Sequence, residues 1–182
     1  MLTNLAFSSA VCSMTRIQIY NQIVNLFWTA ICFIPILRLW YLYYHPTILF
    51  VSLAVSFLPA LIPAEYFSML QISRNRRFYE SLSIKSLQSF TQDGRLVSAL
   101  AKKKNHDYRL IKKRVIHKNY KSQIAIYERY HMLCLAFFLV SLVYAIYQEA
   151  FLISILILIS NIIYNIIPIL IQQYNKLRLG LV

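Results

Sequence analysis

The segment from Asn161 to Leu179, NIIYNIIPILIQQYNKLRL, constrains the fold more than any other part of the chain. It is apolar enough for a membrane span, yet it carries Asn161, Asn165, Pro168, Gln172 and Asn175, spaced by 4, 3, 4 and 3 residues. At about 3.6 residues per turn, that spacing puts all five on one stripe of a helix. Amides are costly in hydrocarbon unless something satisfies them, so an aligned set implies a buried seam or a polar cavity. The expectation is a membrane protein with something to bind.

Composition points the same way. Of 182 residues, 59% are hydrophobic and only two are glycine, more apolar surface than a soluble domain of this size can bury. The same richness excludes a disordered chain. One integral membrane domain spanning residues 1–182 is expected. The fold class is all-α, with four transmembrane helices at about 17–37, 46–63, 131–147 and 150–171. Each is near the ~20 residues that a ~30 Å hydrocarbon core requires.

The net charge of +13 is unevenly placed. Fourteen of the 19 Lys and Arg fall between Arg74 and Lys121, against three acids, Glu80, Asp93 and Asp107. Beside apolar spans, such a run reads as a cytoplasmic loop, here about 71–125, obeying the positive-inside bias. That places both termini in the cytoplasm, in agreement with Arg16, Lys176 and Arg178. Phe78, Leu82, Ile84 and Leu87, then Leu96, Leu100 and Leu110, suggest short amphipathic helices on the inner leaflet, broken at Gln92–Arg95. Lipid phosphates are natural partners for the basic run. Nucleic acid is not expected, since no recognition motif accompanies it. Cys12, Cys32 and Cys134 lack metal-ligand spacing and an even count, so neither a zinc site nor a disulfide framework is expected. Residues 1–15 lack the positive start of a secretory signal.

Two clusters carry candidate chemistry. In Glu128-Arg129-Tyr130-His131, Glu128 and His131 stand at i, i+3 and share a helix face. A carboxylate beside an imidazole fixes its tautomer and raises its basicity, as a general base acting on a hydroxyl requires. The bland reading is an interfacial helix start in headgroup water. The second cluster is the stripe, extended by Tyr174 and Arg178; amides with an arginine suit a carboxylate, a phosphate or a sugar. Here the bland reading is interhelical packing.

Three landmarks occur in order: FYESLSIKSLQ (Phe78 to Gln88), ERYH (Glu128 to His131) and NIIPILIQQYNKLRL (Asn165 to Leu179). Together they resemble the glycosyl-4,4'-diaponeurosporenoate acyltransferase family, small bacterial integral membrane proteins of carotenoid synthesis. The family's ending resembles Asn-x-x-Pro-x-x-x-Gln-Arg-Tyr-Asn-Arg-x-Arg, which Asn165, Pro168, Gln172, Tyr174, Asn175 and Arg178 match. Gln173 and Lys176 stand where that pattern has arginine. The resemblance implies a multi-pass protein of the bacterial inner membrane that moves a fatty acyl group onto a sugar hydroxyl of a glycosylated, carotenoid-type lipid. His131 and Glu128 are the expected catalytic pair, and Asn165, Gln172, Tyr174, Asn175 and Arg178 the expected substrate-binding set. No metal or bound cofactor is implied, and a coenzyme A or carrier-protein thioester is the expected acyl donor. A second reading is non-enzymatic: a small membrane scaffold or accessory subunit whose polar seam packs against a membrane-protein partner.

Overall fold

The computed structural model describes residues 2–63, 66, 69–91 and 116–181, which are helical with no strand among them. In chain order they form α1 (Leu2–Leu42), α2 (Pro46–Ser56), a 3-10 turn (Leu58–Leu61), α3 (Arg76–Ser81), α4 (Ile84–Leu87) and a second 3-10 turn (Gln88–Phe90). Then come α5 (Ile116–Tyr147), α6 (Phe151–Asn161), a π turn (Ile162–Ile166) and α7 (Ile167–Arg178). Where no water reaches the backbone, helix is the form in which a single segment satisfies its own N–H and C=O groups.

Among the described residues, three helical stretches, not four, are long and apolar enough to cross a membrane: Ile19–Leu42, Ser122–Tyr147 and Phe151–Arg178. The expected span at 46–63 is corrected to the shorter apolar run Pro46–Leu61. Its α-helix stops at Ser56 because Pro59 offers no N–H and its ring would meet the Val55 carbonyl. This run lies antiparallel along α5. Tyr144 Oη donates to the Tyr43 carbonyl at one end (2.8 Å), and Arg129 Nη2 to the Ile62 carbonyl at the other (3.0 Å). At ~1.5 Å per residue, Arg129 to Tyr144 is about 22 Å, short of a ~30 Å core. The long helices also outrun their expected bounds. The first continues past Arg38, the one expected from 131 begins at Ser122, and the last reaches Arg178.

α5 and α6 form the expected hairpin, turning at Gln148-Glu149 with Glu149 at φ +56° and Ala150 N–H donating to the Ala145 carbonyl. α1 packs on α6, and α2 and α7 on α5. At the turn end, Trp40 stacks on Tyr144 (5.2 Å) and its Nε1 donates to Ser141 Oγ (3.3 Å), among Ile36, Leu39, Phe138 and Ile157. Halfway down, the Tyr164 ring meets Phe33 and Phe138. At the opposite end α3 and α4 fold under α7, burying Tyr79 and Ile84 against Ile171 and Tyr174. α3 is capped by Asn75, whose Oδ1 accepts from the Arg77 N–H (2.9 Å). The expected amphipathic pattern at Phe78–Leu87 is thus helical, whereas Leu96, Leu100, Leu110 and the Gln92–Arg95 breaker lie outside the described residues.

The π turn decides which residues of α7 face inward. Pro168, in the first turn of α7, has no N–H for the Tyr164 carbonyl, and the ladder resumes one residue late. One extra residue delays the helix by about 100°, so every later position takes the place of its predecessor. The stripe that spacing assigns to Asn161, Asn165, Pro168, Gln172 and Asn175 becomes Asn161, Asn165, Ile169, Gln173 and Lys176. The burial follows this shifted set at two of the three later places: Ile169 and Gln173 are buried while Pro168 and Gln172 are only half-buried, but Asn175 is buried against Gln88 and Lys176 half-buried. Inserting one alanine after Ile169, beyond the π turn, rotates Gln173 and Lys176 by about 100° and turns them away from α5. In detergent, that insertion lowers the thermal midpoint and exposes residues 70–91 to protease, whereas deleting Ile163, which removes the extra residue and leaves Gln173 and Lys176 in their places, keeps residues 70–91 protected. Exposure of residues 70–91 by the deletion, or their protection in the insertion variant, contradicts the phase argument.

Candidate active site at the end of the bundle

Gln173 is the hub of this end. Its Oε1 accepts from the Ile72 N–H (3.1 Å) and from Tyr79 Oη (3.1 Å). Its Nε2 donates to the Leu70 carbonyl (3.0 Å) and to Glu128 Oε1 (3.4 Å). A primary amide offers two lone pairs and two N–H groups, and all four are used. Gln71 reinforces the junction by donating from Nε2 to the Gln173 carbonyl (3.3 Å) and to Tyr79 Oη (3.0 Å). The segment preceding α3 is therefore tied to α7 through backbone groups that have no helical partner.

Glu128, expected to orient His131, does something else. Its Oε2 takes Lys176 Nζ at 2.6 Å and its Oε1 takes Gln173, with the Glu128 side chain 1% exposed. His131 Nδ1 has no hydrogen-bond partner among the described residues, so Glu128 does not hold it. The i, i+3 spacing does place both on one face, but α7 presents a lysine and an amide to the carboxylate, and a charged donor wins it. Glu128 thereby fixes α5 against α7.

His131 lies one turn further into the bundle. Its ring packs edge-on against Tyr130 (5.2 Å) and Tyr164 (5.7 Å), beside Asn165 and the Tyr164 backbone. Tyr130 Oη and Tyr164 Oη are 2.9 Å apart, and Tyr164 Oη lies 2.8 Å from Thr29 Oγ1. Asn165 is wholly buried; its Nδ2 donates to Asn161 Oδ1 (2.7 Å), while its Oδ1, like His131 Nδ1, is buried and unpartnered. Two buried polar atoms side by side without a well-formed hydrogen bond are costly in an apolar bundle, and they are open to a polar guest.

The remaining expected residues form an outer rim. The ring of buried Tyr174 carries Arg76 at 5.8 Å and Arg178 at 5.7 Å from its centroid, and its Oη donates to Glu80 Oε1 (3.1 Å). The same Glu80 oxygen accepts from Arg76 Nε (3.0 Å) and Lys85 Nζ (2.9 Å). Asn175 Oδ1 accepts from Gln88 Nε2 (3.4 Å). Gln172 joins neither cluster. Sequence reasoning missed Gln173, Lys176, Tyr79 and Glu80 as partners, although FYES placed the last two one residue apart and Pro168 signalled a change of phase. No set of three metal-ligating side chains converges among the described residues.

These features define a helical membrane protein with a buried cluster of polar side chains at one end of its bundle and a cationic rim outside it. The chain belongs to the glycosyl-4,4'-diaponeurosporenoate acyltransferase family, whose model matches residues 63–182, all of the site except Thr29. No curated protein and no solved structure matches the chain.

Glu128→Gln strands the Lys176 charge in a buried place and costs about 3 kcal/mol of stability. Glu128→Gln with Lys176→Met costs markedly less than the single change, as read by denaturant unfolding in detergent; equal costs contradict a paired charge. The rim has a pH signature. The Lys85 ammonium, with Tyr174 and Arg76, holds the Glu80 carboxyl below its ordinary value of 4.5. A lowered folded value contributes stability above the ordinary value that is lost as pH falls through the lowered one. Protease resistance of residues 70–91 therefore declines on acidification below about pH 4.5, and Glu80→Gln abolishes that dependence.

Proposed function

We propose that the protein is a membrane acyltransferase that moves a fatty acyl group from a cytoplasmic thioester to a sugar hydroxyl of a glycosylated, carotenoid-type lipid. The observation that carries this reading is the buried His131 beside Asn165, with neither Nδ1 nor Oδ1 in a well-formed hydrogen bond and both open to a hydroxyl when the imidazole proton is on Nε2. A sugar presents neighbouring hydroxyls that satisfy both at once. The hydroxyl beside His131 attacks the thioester carbonyl carbon as its proton passes to Nδ1. The tetrahedral intermediate then collapses, the C–S bond breaks, and the imidazolium proton goes to the departing sulfur. Asn165 holds the second hydroxyl, and Glu128 acts through Lys176 and Gln173 by keeping α5 and α7 in register. Acyl and isoprenoid chains lie along the apolar outer faces of α1, α5 and α6. The family supports the reaction class.

The positive-inside bias supports a bacterial inner-membrane location with the basic segment, both termini and this end of the bundle in the cytoplasm. There the bilayer concentrates the lipid acceptor while a soluble donor arrives from the aqueous side.

Purified wild type and His131→Ala, given labelled acyl thioester and glycosylated carotenoid lipid, test the proposal. The variant loses roughly 100-fold or more in kcat while keeping its thermal midpoint. Identical labelled products at identical rates contradict the role of His131, and absence of product from wild type with every donor favours the scaffold reading.

A further inference from the structure

The rim around Tyr174 holds more positive charge than its own acid uses. Arg74, Arg76, Arg77, Lys85 and Arg178 stand at this end of the bundle, with Glu80 the acid paired to the rim among the described residues. Glu80 takes only the Nε of Arg76 and one of the three N–H donors of Lys85, all on its Oε1. No carboxylate among the described residues pairs with Arg178. Both guanidiniums are nonetheless held in place, because each lies over the ring of Tyr174, which is itself buried and anchored through Oη to Glu80. Guanidiniums fixed before a ligand arrives lose little entropy on binding and offer paired N–H donors that match the oxygens of a phosphate.

Position narrows the phosphate to one class. Asn165 is the neighbour of His131, and Tyr174, whose ring carries both guanidiniums, lies nine residues further along the same helical rod. At ~1.5 Å per residue the rim is about 13 Å from the imidazole. A phospholipid headgroup in the rim would keep its acyl ester carbonyls close to its own phosphate, well short of His131. A pantetheine arm, without being fully extended, separates its thioester from its phosphate by a length of this order.

We propose that Arg76, Lys85 and Arg178 bind the phosphate end of a coenzyme A thioester, with the pantetheine arm reaching along α7 to set the acyl carbonyl at His131. This rests on the acyl-transfer reading above; of the two thioester donors expected there it takes coenzyme A, and it adds the residues that select it.

Binding of unacylated coenzyme A to the intact protein, measured calorimetrically in zwitterionic nanodiscs, tests the site without requiring turnover. The wild type binds, and Arg76→Gln/Arg178→Gln and Lys85→Gln each weaken binding at least tenfold. Arg38→Gln, at the opposite end of the bundle, changes nothing. Pantetheine without its phosphate binds at least tenfold more weakly than coenzyme A. Replacing the lipid by anionic phosphatidylglycerol leaves coenzyme A affinity within twofold. Unaltered binding by the rim variants, equal binding of pantetheine, or displacement of coenzyme A by phosphatidylglycerol overturns the proposal. A protein that binds coenzyme A through the rim but transfers no acyl group keeps this inference and sinks the acyl-transfer reading, so the two failures are distinguishable.

Discussion

The saturated amide of Gln173 is the constraint on which the rest of this end of the bundle depends. Four partners from three parts of the chain meet on one side chain: Ile72 N–H, the Leu70 carbonyl, Tyr79 Oη and Glu128 Oε1. Each would otherwise be a polar group left without a partner in an apolar surround, at about 1–3 kcal/mol apiece. A buried network of this sort rewards complete satisfaction and penalises partial satisfaction. It fixes the segment before α3, seats Tyr79 under α7, and gives Glu128 a second contact besides Lys176. The register of α5 against α7 follows, and with it the approach of His131 to Asn165.

None of this is possible unless α7 arrives in the right phase, which the π turn at Ile162–Ile166 provides. Such turns cost helix stability and persist where packing over-determines them. Here two buried asparagines bonded to each other lie at its entry and Pro168 at its exit. The chain has thereby placed two different polar layers along one rod. The upper layer leaves His131 Nδ1 and Asn165 Oδ1 without a well-formed hydrogen bond, and the lower layer uses most of its polar atoms for structure. That division shows how a helix so rich in amides can satisfy most of them in packing and still leave polar atoms open at one level. The large apolar side chains left exposed on α1, α2 and α6, among them Leu26, Phe50, Phe57, Phe151 and Leu152, fit a surface covered by lipid rather than water.

Much of the architecture was legible from the residues because apolar runs of span length have few alternatives. The α5–α6 hairpin followed from its very short turn, and the shared face of Glu128 and His131 from their spacing. What was not legible has identifiable physical causes. Hydropathy alone does not register that Pro59 ends α2, so a 16-residue run read as a span. Periodicity assumes an unbroken helix, so the stripe was right at Asn161 and Asn165 and one residue off at Gln172, whose place Gln173 takes. The partner of Glu128 comes from a helix more than forty residues away, and no local pattern announces Lys176. Tyr174, Asn175 and Arg178 do lie at the site's end as expected, but on its outer rim rather than around His131. The family pattern has arginine where this chain has Gln173 and Lys176, and the structure makes those two positions the ones that clasp Glu128.

The shifted phase of α7 is the claim on which both the inner acceptors and the outer rim stand. In a background without native cysteines, a short bifunctional thiol reagent applied in membranes measures it directly. A Glu128→Cys/Gln173→Cys pair should cross-link rapidly and a Glu128→Cys/Gln172→Cys pair only slowly. The reverse order would contradict the account, because it would return Gln172 to the seam and leave Gln173 facing outward.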